Sequence, residues 1–213
     1  MTFYNSISCK NSVARLVTVT FVSLLLGSVA LAQGNAEAGA GLTTVCVACH
    51  GMTGNENTLP NVPKLGGQGE KYLLKQLHEI KSGVRAVPLM TGMLTTLNDQ
   101  NLADVAAYYS SLAAPEGAVE ESKLALGEKV FRAGIASIGV PACSACHAPD
   151  GKGNAAAGFP TLNGQNAAYT DLQLRAWRAG ERTNDEAEVM RTITARMNDA
   201  EIAAVASYVS GLR

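Results

Sequence analysis

Cys46-Val47-Ala48-Cys49-His50 and Cys143-Ser144-Ala145-Cys146-His147 are two copies of one five-residue stretch. Cys-x-x-Cys-His is the pattern by which a c-type haem is attached. Two thiols three positions apart lie on one helical turn, where Cys46 and Cys49, or Cys143 and Cys146, can each bond a vinyl group of one porphyrin. The next residue, His50 or His147, then lies under the iron and offers its imidazole as proximal ligand. A redox dithiol of the thioredoxin type would follow a strand in a βαβ pattern and needs no adjacent histidine. A structural zinc site would draw on both pairs together, but each pair here has its own histidine and its own downstream half-chain. The two copies point to two covalent haem c groups, each with one iron.

Outward from the motifs, the N-terminus explains part of a composition that is 47% hydrophobic and 16% charged. Lys10 and Arg15 precede an apolar run from Leu16 to Ala32 that ends Ala30-Leu31-Ala32. A basic start, an apolar stretch and a small-x-small ending read as a secretory signal peptide. Residues 1–32 are expected to be removed between Ala32 and Gln33, leaving 181 residues. The apolar run is at the short limit for spanning a bilayer, which argues against an uncleaved anchor. Cys9 leaves with the leader, so the four remaining cysteines all lie in the two motifs and no disulfide framework is left. An exported chain of this kind suits the periplasm. Fifteen basic against eighteen acidic residues then remain, a formal −3, without the basic footprint that nucleic-acid binding needs.

The motifs are part of a larger duplication. Val62-Pro63-Lys64-Leu65-Gly66-Gly67-Gln68 returns as Phe159-Pro160-Thr161-Leu162-Asn163-Gly164-Gln165, a shift of 97. The same shift superposes Tyr72 on Tyr169, Gln76 on Gln173, Gly83 on Gly180 and Arg85 on Arg182; past an insertion near Asn184 to Glu188 it becomes 100. Each half reads as helical. Leu102, Val105, Ala106, Tyr109 and Leu112 form one apolar stripe, repeated by Ile202, Val205, Ala206, Val209 and Leu212, with Asn98 and Asn198 placed as caps. Further helices are expected near 70–81 and 167–179, each closed by a glycine, and near 36–45 and 122–133. Ala113 to Ser122 breaks the helical pattern and serves as linker. The expectation is an all-α protein of two tandem domains, 33–112 and 123–213, each wrapped around one haem. Halves this small bury a marginal core, so the macrocycle supplies the missing apolar centre and apo protein should fold poorly.

The duplication also assigns the second axial ligand. Under the 100-residue shift Met90 falls on Met190, whereas Met93 meets Ile193 and Met197 meets Leu97. If both haems share one architecture, Met90 and Met190 are the ligands, and Met93 and Met197 fill space. Met52 follows His50 too closely to reach the opposite face. His78, opposite Arg175 in the repeat, reads as a solvated helix residue. Methionine ligation raises the potential, and an iron with six ligands has no vacancy for a small-molecule substrate. Both facts speak for electron transfer rather than catalysis. Pro63 and Pro160 are placed to accept the Nδ1 hydrogen of each proximal histidine. Arg85 and Arg182 are read either as partners of haem propionates or as solvated surface residues.

With these residues in view, the chain resembles the cytochrome c4 family, tandem class I cytochromes c. The resemblance rests on both Cys-x-x-Cys-His motifs, the segment from Pro63 to Gln68, Met90-Thr-Gly-Met93, Gly158-Phe-Pro160 and Arg182-Thr-Asn184. It implies His/Met ligation of both irons, a pseudo-twofold pair of domains with neighbouring haem edges, delivery of electrons to a membrane-bound terminal oxidase, and loose membrane association. A carrier between a quinol-oxidising complex and that oxidase is the expected function. The alternative is a cytochrome subunit of a flavoprotein or sulfur-compound dehydrogenase. Docking is expected on the small and apolar residues around the motifs, such as Val47, Ala48, Ala145, Ala148 and Pro149. If charge steers it, Lys64, Lys71, Lys75 and Lys81 are the first candidates.

Overall fold

The computed structural model describes residue 1 and residues 33–213; the expected leader, with Cys9, Lys10, Arg15 and the Ala30-x-Ala32 ending, lies outside the described residues. Among the described residues the elements are α1 (Ala36–Leu42), α2 (Val47–His50), α3 (Glu70–Ser82), α4 (Asp99–Ser111), α5 (Glu121–Ala133), α6 (Ser144–His147), α7 (Ala167–Ala179), α8 (Val189–Thr194) and α9 (Asp199–Gly211), with three short 3-10 turns. Extended pairing among them is limited to two isolated bridges, and no helix among the described residues is long and apolar enough to cross a membrane. Two tandem helical halves are what the periodicity predicts.

In each half the helix before the motif crosses the last helix, α1 on α4 and α5 on α9. Glycines set how closely they cross. A Cβ on Gly39 would lie 2.0 Å from the Asp104 carbonyl oxygen, and one on Gly127 would lie 2.3 Å from that of Ala204. The apolar stripes face inward at this crossing: Leu102, Ala106, Ile202 and Ala206 are buried. Asn98 and Asn198 close capping boxes with Asn101 and Glu201, each satisfying helix-start N–H groups that have no intrahelical partner. Gly83 and Gly180 end α3 and α7 in the left-handed conformation that glycine adopts without steric cost.

The halves differ where the sequence is not a strict repeat. Gly39 and Gly127 are 88 residues apart, whereas the motif cysteines are 97 apart, so the second half inserts a segment between helix and motif. That segment folds as a small antiparallel bridge of Ile135 with Val140. The second core is also larger. Val130, Phe131, Val140, Leu174, Met197, Ile202 and Tyr208 are buried together, against Leu73, Val105, Ala106 and Tyr109 in the first half.

A buried polar seam joins the halves, and its bonds are reciprocal. The Gln68 side chain takes the Thr161 N–H at 2.8 Å and gives to the Thr161 carbonyl at 2.9 Å. Gln165 does the same to Lys64, at 2.8 and 2.9 Å. Arg85 donates to Gln76 at 2.8 Å, to Tyr169 at 3.0 Å and to Gln173 at 3.0 Å. Arg182 donates to Gln173 at 2.7 Å, to Tyr72 at 3.2 Å and to Gln76 at 3.1 Å. Exchanging the halves maps this set of bonds onto itself, the signature of a pseudo-twofold axis.

The seam corrects one expectation. Arg85 and Arg182 are not solvated, at 9% and 7% exposed; the five donors of a guanidinium suit it to bridging several neutral acceptors at once. The lysines are hydrogen-bonded, although Lys71, Lys75 and Lys81 remain exposed. Lys64 Nζ bonds the Glu116 and Gly164 carbonyls at 2.7 and 3.0 Å, Lys71 Nζ that of Ala156 at 2.9 Å, and Lys75 Nζ that of Asn184 at 2.8 Å. Lys81 reaches the carbonyl of Leu97 within its own half. The segment between α4 and α5 is tied down as well: Ser210 donates to the Ala118 carbonyl at 2.7 Å and the Glu120 N–H bonds Ser207 at 3.0 Å.

Replacing Arg85 by methionine takes the guanidinium from the Tyr169 hydroxyl, and replacing Arg182 takes it from the Tyr72 hydroxyl and the Asn184 amide oxygen, a loss of about 1–3 kcal/mol. Proteolysis within residues 113–120 of Arg85→Met or Arg182→Met is expected to run about tenfold faster than in the parent, since 1.4 kcal/mol is a factor of ten. The double variant should lose more than the sum, because the Gln173 oxygen accepts from both guanidiniums and loses its last partner only when both are gone.

Candidate haem centres

Each Cys-x-x-Cys-His motif forms a single helical turn, α2 or α6, with Cys46 or Cys143 at its N-cap. The four thiols are free; Cys49 and Cys146 are exposed while Cys46 and Cys143 are half-buried. Directly after each histidine the chain reverses through positive φ, at Gly51 (78°) and Ala148 (64°). Alanine there is strained by roughly 1–3 kcal/mol relative to glycine. The reversal returns the chain to the proline segment. His50 Nδ1 lies 2.9 Å from the Pro63 carbonyl oxygen and His147 Nδ1 lies 3.0 Å from that of Pro160. A carbonyl can only accept, so Nδ1 carries the hydrogen and Nε2 keeps its lone pair free. Both rings are buried. Burial pushes both imidazoles below their ordinary pKa, offset in part by the bond to proline. A neutral imidazole with a fixed tautomer is the form that ligates iron.

The methionines occupy different settings. Met90 ends the 3-10 turn Pro88–Met90 and is half-buried. Met190 lies in the first turn of α8 and packs with Leu162, Trp177 and Cys143 against the second core. Met197 is inside that core, while Met93 and Met52 are 49% and 71% exposed. His78 is half exposed, 3.8 Å from Asp99.

These residues fit a haem better than the other uses of Cys-x-x-Cys. Burial raises the Cys46 thiol above its ordinary pKa and pushes Cys143 up to about 11, opposite to the low-pKa thiol of a redox dithiol. Among the described residues no three histidine, cysteine or acidic side chains converge where an ion could sit, which removes the zinc reading. Each half also keeps a buried donor or acceptor without a protein partner: Asn57 Oδ1 in the first, Trp177 Nε1 and Asn163 Oδ1 in the second. Buried polar atoms ordinarily find partners, so such orphans suit a polar-edged group held within each half. Sequence reasoning missed the Arg–Tyr–Gln seam beside the sites and the stacking of Arg182 on Trp177, 4.1 Å from the ring centre. The coincidence of Tyr, Gln and Arg at one shift was the signal that could have found the seam.

The holoprotein is expected to exceed its polypeptide mass by two haems and, once unfolded, to offer no thiol to an alkylating reagent. Mass spectrometry before and after alkylation checks both; a labelled Cys46, Cys49, Cys143 or Cys146 contradicts attachment at that residue.

The comparisons with known proteins agree with this geometry. The family model for cytochrome c matches twice, at residues 36–113 and 124–213. Cytochrome c4 of Pseudomonas aeruginosa is 48% identical over 199 residues, covering 93% of this chain and 98% of its own. The crystal structure of reduced recombinant cytochrome c4 from Pseudomonas stutzeri superposes with a TM-score of 0.82 at 50% identity, covering 84% of this chain and all of its own. A protein named thiosulfate dehydrogenase electron acceptor, from Thiomonas intermedia, is 37% identical over 168 residues, covering 78% of this chain and 77% of its own. This chain belongs to the cytochrome c4 family, the dihaem electron carriers among the cytochromes c.

Proposed function

We propose that this protein works in the periplasm as a carrier between a quinol-oxidising complex and a membrane-bound terminal oxidase, with His50 and Met90 on one iron and His147 and Met190 on the other. The observation that carries the reading is the pair of histidines whose Nδ1 is already committed to a proline carbonyl. When bound, haem supplies reversible one-electron chemistry. The protein's part is to keep the imidazoles in place and neutral, so that little rearranges when an electron comes or goes. Met90 and Met190 as sixth ligands are supported by their shared place in the repeat and by the core position of Met197. The proposed bounds are leader 1–32, domains 33–112 and 123–213 and linker 113–122; the end of α4 at Ser111 supports the start of the linker, whereas α5 begins at Glu121, two residues inside it. Export is supported by the leader-like N-terminus and by the placement of every cysteine beyond residue 32 in a haem motif.

A second reading has one observation in its favour. The relative from Thiomonas intermedia is named for accepting electrons from a thiosulfate dehydrogenase, which suits a cytochrome partner of a sulfur-compound dehydrogenase. The greater likeness to cytochrome c4, 48% against 37% identity, favours the oxidase reading.

Met90→Ala or Met190→Ala is expected to remove about half of the thioether-to-iron charge-transfer absorbance and to lower one haem potential. Met197→Ala should keep the full band while costing about 2–5 kcal/mol of stability, the usual cost of emptying a core methionine site. Absorbance during a redox titration separates the two.

Docking is expected to depend little on salt, because the first domain carries five basic against six acidic residues and the second ten against nine, so neither has a strong single-sign field. Exposed Ala48, Ala145 and Pro149 offer the uncharged surface instead. Stopped-flow oxidation by a membrane preparation containing the oxidase should slow by less than about tenfold between low and physiological salt, where strongly steered pairs change by more. Oxidation that needs added thiosulfate dehydrogenase, with none by the oxidase, supports the second reading instead.

A further inference from the structure

The segment carrying Met190 departs from the repeat, and it is held in a way its counterpart is not. Seven residues separate Arg182 from Met190 against four between Arg85 and Met90, so three residues near Asn184 to Glu188 have no equivalent before Met90. The Asp185 side chain is 4% exposed and accepts two bonds from the residue after Met190, the Arg191 N–H at 2.9 Å and Arg191 Nε at 2.7 Å. Asn184 then ties the segment to the other half. Its amide donates to Gln76 at 2.9 Å and to Glu79 at 2.6 Å, and its carbonyl accepts Lys75 Nζ at 2.8 Å. Between these anchors Ala187 and Glu188 both have positive φ, 50° and 57°. Two consecutive non-glycine residues stay in that strained region only where their surroundings over-determine it.

The first half has none of this. Among the described residues no side-chain hydrogen bond reaches 86–91, and the segment is held by the backbone bonds of its 3-10 turn. Val84, Leu89 and Met93 around it are 59%, 67% and 49% exposed. Segments with few buried contacts open first.

We propose that Asp185 is a positioning residue, which with Arg191 and Asn184 pins the Met190 segment, so that the unpinned first-half site is the one that exchanges its methionine for an added ligand. The inference rests on the ligand assignment proposed above. The exchange is a simple substitution: the iron–sulfur bond breaks, an incoming nitrogen donates its lone pair in its place, and no electron is transferred.

The probe is imidazole added to the ferric full-length holoprotein, followed by the thioether-to-iron charge-transfer band. The parent is expected to lose the band in two equal steps whose midpoints differ by at least about tenfold. Met190→Ala should retain only the step at low imidazole. Asp185→Ala should move the high step toward the low one and leave the low step unmoved. Asp185→Asn, which keeps the acceptor but not the charge, should shift it less, and serves if the alanine variant does not fold. A single step in the parent, a high step unmoved in Asp185→Ala, or survival of only the high step in Met190→Ala overturns the proposal. A full-height band in Met190→Ala removes the ligand assignment and this inference with it.

Discussion

One hydrogen bond, repeated, organises each half: histidine Nδ1 to a proline carbonyl thirteen residues on. It requires a helical turn that stops at the histidine, a chain reversal through positive φ directly after it, and a proline segment laid back alongside. The bond decides which nitrogen carries hydrogen and so which is free for iron. Proline contributes only an acceptor there, having no N–H to satisfy. Around this unit the helix before the motif and the last helix of each half cross at a glycine and enclose a small apolar core.

The second constraint is the seam. Two buried guanidiniums share the same two amide oxygens across a pseudo-twofold axis. Burial by itself pushes the Tyr72 hydroxyl up, but Arg182 and Arg85 outweigh it and hold Tyr72 below its ordinary pKa. Such an arrangement costs desolvation, and what it confers is register. A guanidinium fork bonded to fixed acceptors tolerates little sliding, so the halves are held in one relation and with them whatever lies in their two centres.

Symmetry then fails in a directed way. The second half has the larger core, an additional bridged segment before its motif, and a methionine segment anchored to the first half through Asn184. The first half keeps the exposed Leu89 and Met93 beside Met90. Duplication supplied two equal centres; insertions in one copy made their surroundings unequal.

Much of this was legible in the chain. The motif spacing, the period of the last helices, the asparagine caps and the 97- and 100-residue shifts are local or self-referential signals, readable because i, i+3 and i+4 neighbours share a helix face. The placement of proline after each motif belongs with them. What the chain by itself left open was the fate of Arg85, Arg182 and the lysines, since a charged side chain looks the same in sequence whether it meets water or a carbonyl some hundred residues away. Only folding brings Gln68 to Thr161 and Lys64 to Gln165, and only then are the two guanidiniums taken out of solvent while Lys71, Lys75 and Lys81 stay exposed. The tertiary structure decided how the halves meet because the bonds that join them link residues the chain keeps far apart.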